Sequence, residues 1–233
     1  MVHATHICCA VFVAETGMAN SAFICQITDN WRFSVVTATQ TQADSWRFKM
    51  IANRLLEGEV IAYPTEGVWG LGCVPENRQA VDRILTMKRR RWQQGLILVA
   101  ADLAQCEPYI GPITAVQREM LMQMWPGPIT FLVPRSLKVP DWVAGDSDKV
   151  ALRVSSHPVV AGICARLGQP MVSTSANPSG KPSATTRLKV MQYFQDKVDL
   201  IVPGRLGGQS GVSEIRDLVT GETLRASPPQ GSV

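Results

Sequence analysis

Apolar runs too short for helices alternate along most of this chain with stretches whose apolar residues return every three or four positions. Residues 60–63 (VIAY) form one such run; they follow the breaker Gly58 and predict a strand. Ahead of it Phe48, Ile51, Ala52 and Leu55 keep a helical period, with Asp44 as the expected N-cap and Gly58 as the stop. Behind it come a glycine-punctuated turn and a helix carrying Val81, Ile84, Leu85 and Lys88 on one face, capped at Asn77. Residues 96–100, 129–133 and 150–154 and the run at Met171 read as further buried strands. Residues 114–124, and the stretch bearing Val160, Ile163, Cys164 and Leu167 up to Gly168, read as helices. Trp125-Pro126-Gly127-Pro128 is a rigid break. Residues 200–202 then lead through a glycine-rich link, 204–211, into a hairpin whose Thr220-Gly221 turn joins 215–219 to 223–225. The pattern predicts an α/β fold, a single domain with a twisted mixed sheet and flanking helices, whose strand-end loops gather on one side.

Composition narrows the class. The 233 residues, 45% hydrophobic, suffice for one domain with a sizeable core. A net charge of +4 favours a nucleotide or phosphate ligand and falls far short of a nucleic-acid coat. Six cysteines without a C-x-x-C pair suggest neither a zinc site nor a disulfide scaffold, so reduced thiols and a cytoplasmic location are expected. The only imidazoles are His3, His6 and His157, which argues against histidine-centred catalysis. Residues 7–14 are apolar, but no lysine or arginine precedes Arg32 and the run is too short to cross a bilayer, so neither a signal peptide nor a membrane contact is expected. Residues 1–41 are expected to be an extension outside the domain, 42–226 to form it, and the Pro-, Gly- and Ser-rich tail 227–233 to be disordered.

Two polar stretches carry the candidate chemistry. Lys88 to Arg91 are four consecutive cations at a helix end, where they complement the dipole; they read either as a solvated terminus or as an anion site. Ser173-Thr174-Ser175-Ala176-Asn177-Pro178-Ser179-Gly180 offers hydroxyls and an amide after an apolar run. It reads either as a plain turn or as a ligand loop at the end of a buried strand.

These stretches stand in a longer series. YPTEGVWGLG at 63–72, MKRRR at 87–91, WPGPIT at 125–130, ALRVSSHP at 151–158, STSANPSG at 173–180 and SEIRDLVTGE at 213–222 resemble, in the same order, the motifs of the YrdC-like family of threonylcarbamoyl-adenylate synthases. The resemblance covers roughly 43–225 and is to the short, single-domain bacterial form. It implies a YrdC-like fold with a concave basic cavity. It also implies condensation of L-threonine, bicarbonate and ATP, with Mg²⁺ accompanying the ATP, to threonylcarbamoyl-AMP and pyrophosphate. A separate threonylcarbamoyl transferase would then act on tRNA in the t6A modification.

Residue by residue, the resemblance implies that Lys88 and Arg90 contact ATP phosphates as catalytic cations, and that Thr130, Ser175, Asn177 and Ser213 complete the ATP site. It implies that Arg153 clamps the threonine carboxylate, with Thr65 and Tyr63 shaping that pocket. Plainer readings stand beside these: Arg153 paired with Asp148 or another carboxylate, Thr130 chosen for strand fit, Ser213 starting a turn, and Tyr63 and Trp69 as core. Glu66 is either a base for the threonine amine or, as favoured, an ion-pair partner of the basic loop, and His157 is a helix-start residue. The chain departs from the family pattern at Gly67, where the short bacterial forms also have a small residue, at Arg91 and Gln94, where the moved charge bears on ATP affinity, and at Val212, in place of a frequent proline. The longer members' linker and gating domain are absent from the resemblance. The alternative from another class is an RNA-binding or ribosome-assembly module with weak RNA affinity, for which Trp92 is the one aromatic beside the cations. A carbamoyl-transfer domain of hydrogenase-maturation proteins is a third reading, but the acylphosphatase and zinc-finger segments expected beside it are missing.

Overall fold

The computed structural model describes the backbone of residues 23–26, 34–209 and 211–226, and the side chains of 42, 44–209 and 211–226. The apolar run at 7–14 and the tail 227–233 lie outside the described residues. The chain divides into two compact units, 1–47 and 48–233. In the first, β1 (Phe23–Gln26) pairs antiparallel with β2 (Ser34–Thr37), Phe23 opposite Thr37.

Helix α1 (Ala38–Leu56) starts well before the expected cap. Asp44 therefore lies inside the helix, where its carboxylate pairs with Arg47 at 3.2 Å. The N-cap expected at Asp44 is thus replaced by an i,i+3 ion pair on the helix surface.

The larger unit continues with β3 (Ile61–Pro64), β4 (Trp69–Cys73), α2 (Arg78–Lys88), β5 (Ile97–Ala100), α3 (Leu103–Cys106), α4 (Ala115–Met124), β6 (Ile129–Pro134), α5 (Asp141–Ala144), β7 (Lys149–Val154), α6 (Pro158–Leu167), β8 (Met171–Ser175), α7 (Arg187–Phe194), β9 (Leu200–Ile201), β10 (Glu214–Asp217) and β11 (Thr223–Arg225). Nine strands form one mixed sheet in the order β11-β10-β6-β7-β5-β8-β4-β3-β9. Alternation along the strands sorts the core onto two faces. Leu98, Val172 and Ala62 meet α2 through Ala80, Ile84 and Leu85, while Val99, Met171, Ile61 and Tyr63 meet α1 and α6 through Ile51, Leu55, Val160, Ile163 and Cys164. Helices on both faces make the sheet the middle of three layers. Cys73, Cys106 and Cys164 are free and buried. Among the described residues no helix is long and apolar enough to cross a membrane.

The caps match local chemistry. Asn77 accepts from Ala80 N at 3.0 Å, Thr114 and Gln117 form a reciprocal capping box, His157 starts α6, and Gly168 ends it with positive φ. The structure also differs from the sequence reading at Trp69–Cys73 and in the last hairpin. Trp69–Cys73 is a strand rather than a turn, antiparallel to β3, because its glycines serve close approach: a Cβ on Gly72 would lie 2.8 Å from the Tyr63 ring and 2.8 Å from the Val172 carbonyl. The last hairpin is shorter than expected, with its strand ending at Asp217, since Asp217 Oδ1 accepts from Val219 N (2.8 Å) and Thr220 N (3.0 Å) and turns the chain there.

Candidate active site

A cavity of about 350 Å³ opens on the face of the sheet that α6 covers elsewhere. Its floor is the strands themselves: Ser173 and Ala151 flank Ile97 in register, and Arg153 lies opposite Val99. The rim is made of loops around Thr65–Gly70, Gln93–Gly95 and Gln209–Ser213. The site is therefore a sheet face walled by loops, rather than a crevice at the strand ends.

The basic run is sorted by a helix terminus. Arg89 takes a left-handed conformation (φ 52°), and the amides of Arg89 and Arg90 close on Thr86 and Leu85 carbonyls at 3.1 and 3.0 Å. This helix ending usually uses glycine, and a side chain there costs about 1 kcal/mol. The reversal aims alternate cations differently: Arg89 and Arg91 are exposed, Arg90 lines the cavity, and Lys88 turns inward, 4% exposed. Arg90 donates to the carbonyls of Gln94 (3.1 Å) and Gly95 (3.0 Å). Lys88 Nζ donates to the carbonyls of Ser175 (2.5 Å) and Asn177 (2.9 Å). The solvated-terminus reading thus holds for Arg89 and Arg91 and fails for Lys88, whose ammonium has replaced water by loop carbonyls. Burial first, and repulsion from Arg90 second, push the Lys88 ammonium down to about 8.

The hydroxyl-rich stretch is half strand and half turn. Ser173 and Ser175 belong to β8 and line the cavity. Ser175 Oγ donates to Asn177 Oδ1 at 2.6 Å, and Asn177 Nδ2 donates to the Lys181 carbonyl at 2.7 Å, so the asparagine is engaged in the turn itself.

Arg153 is set by the Trp125–Pro128 break, whose Trp125–Pro126 bond is cis; the Gly127 carbonyl accepts from Arg153 Nε at 3.1 Å. Arg153 Nη2 lies 2.8 Å from Glu66 Oε1, an ion pair that leaves an N–H of this buried nitrogen without an acceptor among the described residues. Glu66 is thus an ion-pair partner as expected, but of Arg153 on the sheet and not of the basic loop. The same Glu66 oxygen accepts from Ser155 Oγ at 2.6 Å.

At the far wall, Thr130 and Ser213 hydroxyls are 2.9 Å apart, and the Ser213 carbonyl accepts from Arg225 Nε (3.0 Å) and Nη2 (2.8 Å). Burial lowers the pKa of Arg90, Arg153 and Arg225 from the ordinary guanidinium value; at Arg153 Glu66 works the other way, and at Arg225 repulsion from Arg90 and Arg153 adds to burial. Three arginines within mutual electrostatic range, facing one cavity, form a site that an anion would relieve.

Of the eight residues singled out from the sequence, Thr65, Arg90, Arg153, Ser175 and Ser213 line the cavity. Lys88, Thr130 and Asn177 stand one contact behind it, against Ser175 and Ser213. Thr65 Oγ1 donates to the Val68 carbonyl at 2.7 Å and so closes the β3–β4 turn. Tyr63 is fully buried and backs the wall through Ser173 (2.6 Å) rather than facing the cavity. Arg225, Lys149 and Ser155 were not anticipated. Only the strand register that carries them to this face reveals them. Of the departures, Gly67, Gln94 and Val212 line the cavity. A Cβ on Gly67 would lie 1.9 Å from the Gly211 carbonyl, because the link 207–211 packs on this loop through Gly207 N to Thr65 O (3.1 Å) and Gln209 N to Glu66 O (2.9 Å).

Comparison with known proteins agrees with this architecture. A sequence model of the Sua5/YciO/YrdC family, described as telomere recombination, matches residues 53–227. A threonylcarbamoyl-AMP synthase of Pseudomonas fluorescens is 50% identical over 182 residues, covering 78% of this chain and 98% of that protein. Among solved structures, P. abyssi Sua5 complexed with L-threonine superposes with a TM-score of 0.72 at 32% identity, over 77% of this chain and 53% of that one. This chain thus spans about half the length of the P. abyssi protein. E. coli YciO superposes with a TM-score of 0.70 at 25% identity, over 78% of this chain and 90% of that one. The chain belongs to the Sua5/YciO/YrdC family.

Proposed function

We propose that this chain is an L-threonylcarbamoyladenylate synthase, a nucleotidyltransferase that condenses L-threonine, bicarbonate and ATP to threonylcarbamoyl-AMP and pyrophosphate. The observation that carries the reading is the gathering of Arg90, Arg153, Arg225, Ser175 and Ser213 around one cavity, in a chain half identical to proteins named for that product.

The threonine ammonium gives up a proton and its nitrogen joins the carbon of bicarbonate, releasing water. A carbamate oxygen then attacks the α-phosphorus of ATP, and pyrophosphate leaves. Neither step needs a protein nucleophile; the work is to hold anions together against their repulsion. In this reading Arg90 and Arg225 hold phosphates, with the Ser175 and Ser213 hydroxyls as further donors. Arg153 clamps the threonine carboxylate, and Thr65 fixes the turn beside it. Lys88, Asn177 and Thr130 act one step back, Lys88 by tying the basic loop to the serine loop.

Mg²⁺ enters with ATP as part of the substrate. Among the described residues no three His, Cys, Asp or Glu side chains converge to hold an ion. The product would pass to a separate transferase for t6A formation on tRNA, in the cytoplasm. The catalytic unit would be 42–226, with 1–41 an extension that it does not need. The test is pyrophosphate release by the purified chain with ATP and Mg²⁺: release that needs both L-threonine and bicarbonate supports the reading, and release that ignores either one refutes it.

A further inference from the structure

Charge is unevenly divided within the cavity. Its lining holds four cations, Arg90, Lys149, Arg153 and Arg225, and a single carboxylate, Glu66. Lys149 is paired with Asp217 at 2.5 Å. Arg90 and Arg225 donate to backbone carbonyls, which carry no net charge. Glu66, 5% exposed, lies 2.8 Å from Arg153. The cavity thus has a neutral end, where one buried cation and one buried anion touch, and a cationic end.

Glu66 is held there by its surroundings. Ser155 Oγ donates to its carboxylate, the amide of His157 donates to Ser155 Oγ at 3.2 Å, and the Glu66 carbonyl accepts from Gln209 N. Its side chain is ordered before any ligand arrives, so a ligand group that meets it bears little of the ordering cost. Arg153 is oriented by Gly127 and Glu66 while Nη2 keeps an unsatisfied donor. A buried donor without an acceptor is a standing demand for one.

The geometry points to Glu66 as the specificity-determining residue that makes this end of the cavity select a zwitterion, a role that rests on the threonine reading above. An α-amino acid carries one positive and one negative group on adjacent atoms. Its carboxylate completes the donor of Arg153, and its ammonium takes Glu66 as counter-charge. The end stays neutral with the ligand in place, while the triphosphate is left to Arg90 and Arg225. With a neutral residue at position 66 both ends become cationic. A second anion then competes for Arg153, and the ammonium loses its reason to bind.

The test compares L-threonine with 2,3-dihydroxybutanoate, in which a hydroxyl replaces the ammonium group, titrated calorimetrically into wild type and Glu66→Gln. Wild type is expected to prefer threonine by about tenfold or more, and E66Q to reduce the preference to about twofold or less, with ATP binding retained as the check on folding. A preference undiminished in E66Q overturns the proposal. Should E66Q fail to bind ATP, Glu66→Asp keeps the question open to refutation: it must retain the preference with weaker threonine binding, and an E66D that binds ATP without preference also overturns the proposal. Failure of the underlying reading looks different, since wild type then binds neither ligand. Arg153→Gln that binds threonine like wild type refutes Arg153 as the carboxylate clamp, and with it the paired site proposed here.

Discussion

Lys88 Nζ lies 2.5 Å from the Ser175 carbonyl and 2.9 Å from that of Asn177, so the end of α2 and the end of β8 are fastened by one buried ammonium. The Ser179 amide returns the contact, donating to the Lys88 carbonyl at 2.7 Å. Replacing Lys88 by methionine leaves two inward-facing carbonyls without their donor. It is expected to lower stability by about 2 kcal/mol and to weaken ATP binding by about tenfold or more. Urea denaturation and ATP titration measure the two losses, and K88M with wild-type values in both would refute the fastening role. A cation on the surface would have given almost no stability effect.

The same lysine sets a pH dependence whose two signs differ. Its folded value near 8 lies below the ordinary lysine value of 10.5. The cost of burying the cation is therefore fully present below about pH 8 and is relieved as pH rises toward the unfolded value, so this group raises stability with pH across that window. On the ATP site proposed above, ATP binding moves the other way, because the protonated form holds the loop and adds positive charge behind the proposed phosphate position. ATP affinity is expected to fall above about pH 8 in wild type and to stay level in K88M from pH 7 to 9.5. Calorimetric titration across that range decides it, and parallel profiles for the two proteins would contradict the assignment.

Arg225 reaches the cavity from the last strand and donates twice to the Ser213 carbonyl. Arg225→Gln is expected to raise the KM for ATP by about tenfold, with the KM for threonine changed by less than about twofold, since a guanidinium on phosphate is a charge-assisted contact. Steady-state kinetics with each substrate varied in turn checks the split.

A side chain at position 67 collides with the Gly211 carbonyl. Gly67→Ala is therefore expected to displace the link that carries Gln209 and Gly211 along the cavity wall, at a cost of about 1–3 kcal/mol. Hydrogen exchange should show faster exchange at the Gly207 and Gln209 amides, which donate to Thr65 and Glu66, while the α6 amides stay protected.

The hydrophobic pattern made the main elements legible because helix and strand periods are local properties. Thr114 and Asn77 announced their helix starts through side-chain caps, and Gly168 its helix end through a backbone free to take positive φ, all of which act within four residues. The strand at Trp69–Cys73 was hidden because its glycines answer to Tyr63 and Val172 across the sheet, which no local period encodes. The same holds for the site. The eight residues carried over from the family motifs all fall at the cavity or one contact behind it, but the roles divide by burial. A run such as Lys88 to Arg91 does not disclose that Arg89 will turn left-handed and send its neighbours to different places. Arg225 and the pairing of Glu66 with Arg153 depend on strand register and a distant turn, and became visible only in three dimensions.

In the function proposed above, this cavity builds threonylcarbamoyl-AMP. The most direct measurement is mass spectrometry of the products formed from ATP, Mg²⁺, L-threonine and carbon-13-labelled bicarbonate. The expected product is a threonylcarbamoyl-adenylate carrying one heavy carbon, formed with pyrophosphate and reduced about a hundredfold or more in Arg90→Ala. Pyrophosphate and AMP without any labelled adduct, or an adduct formed equally well by R90A, would contradict it.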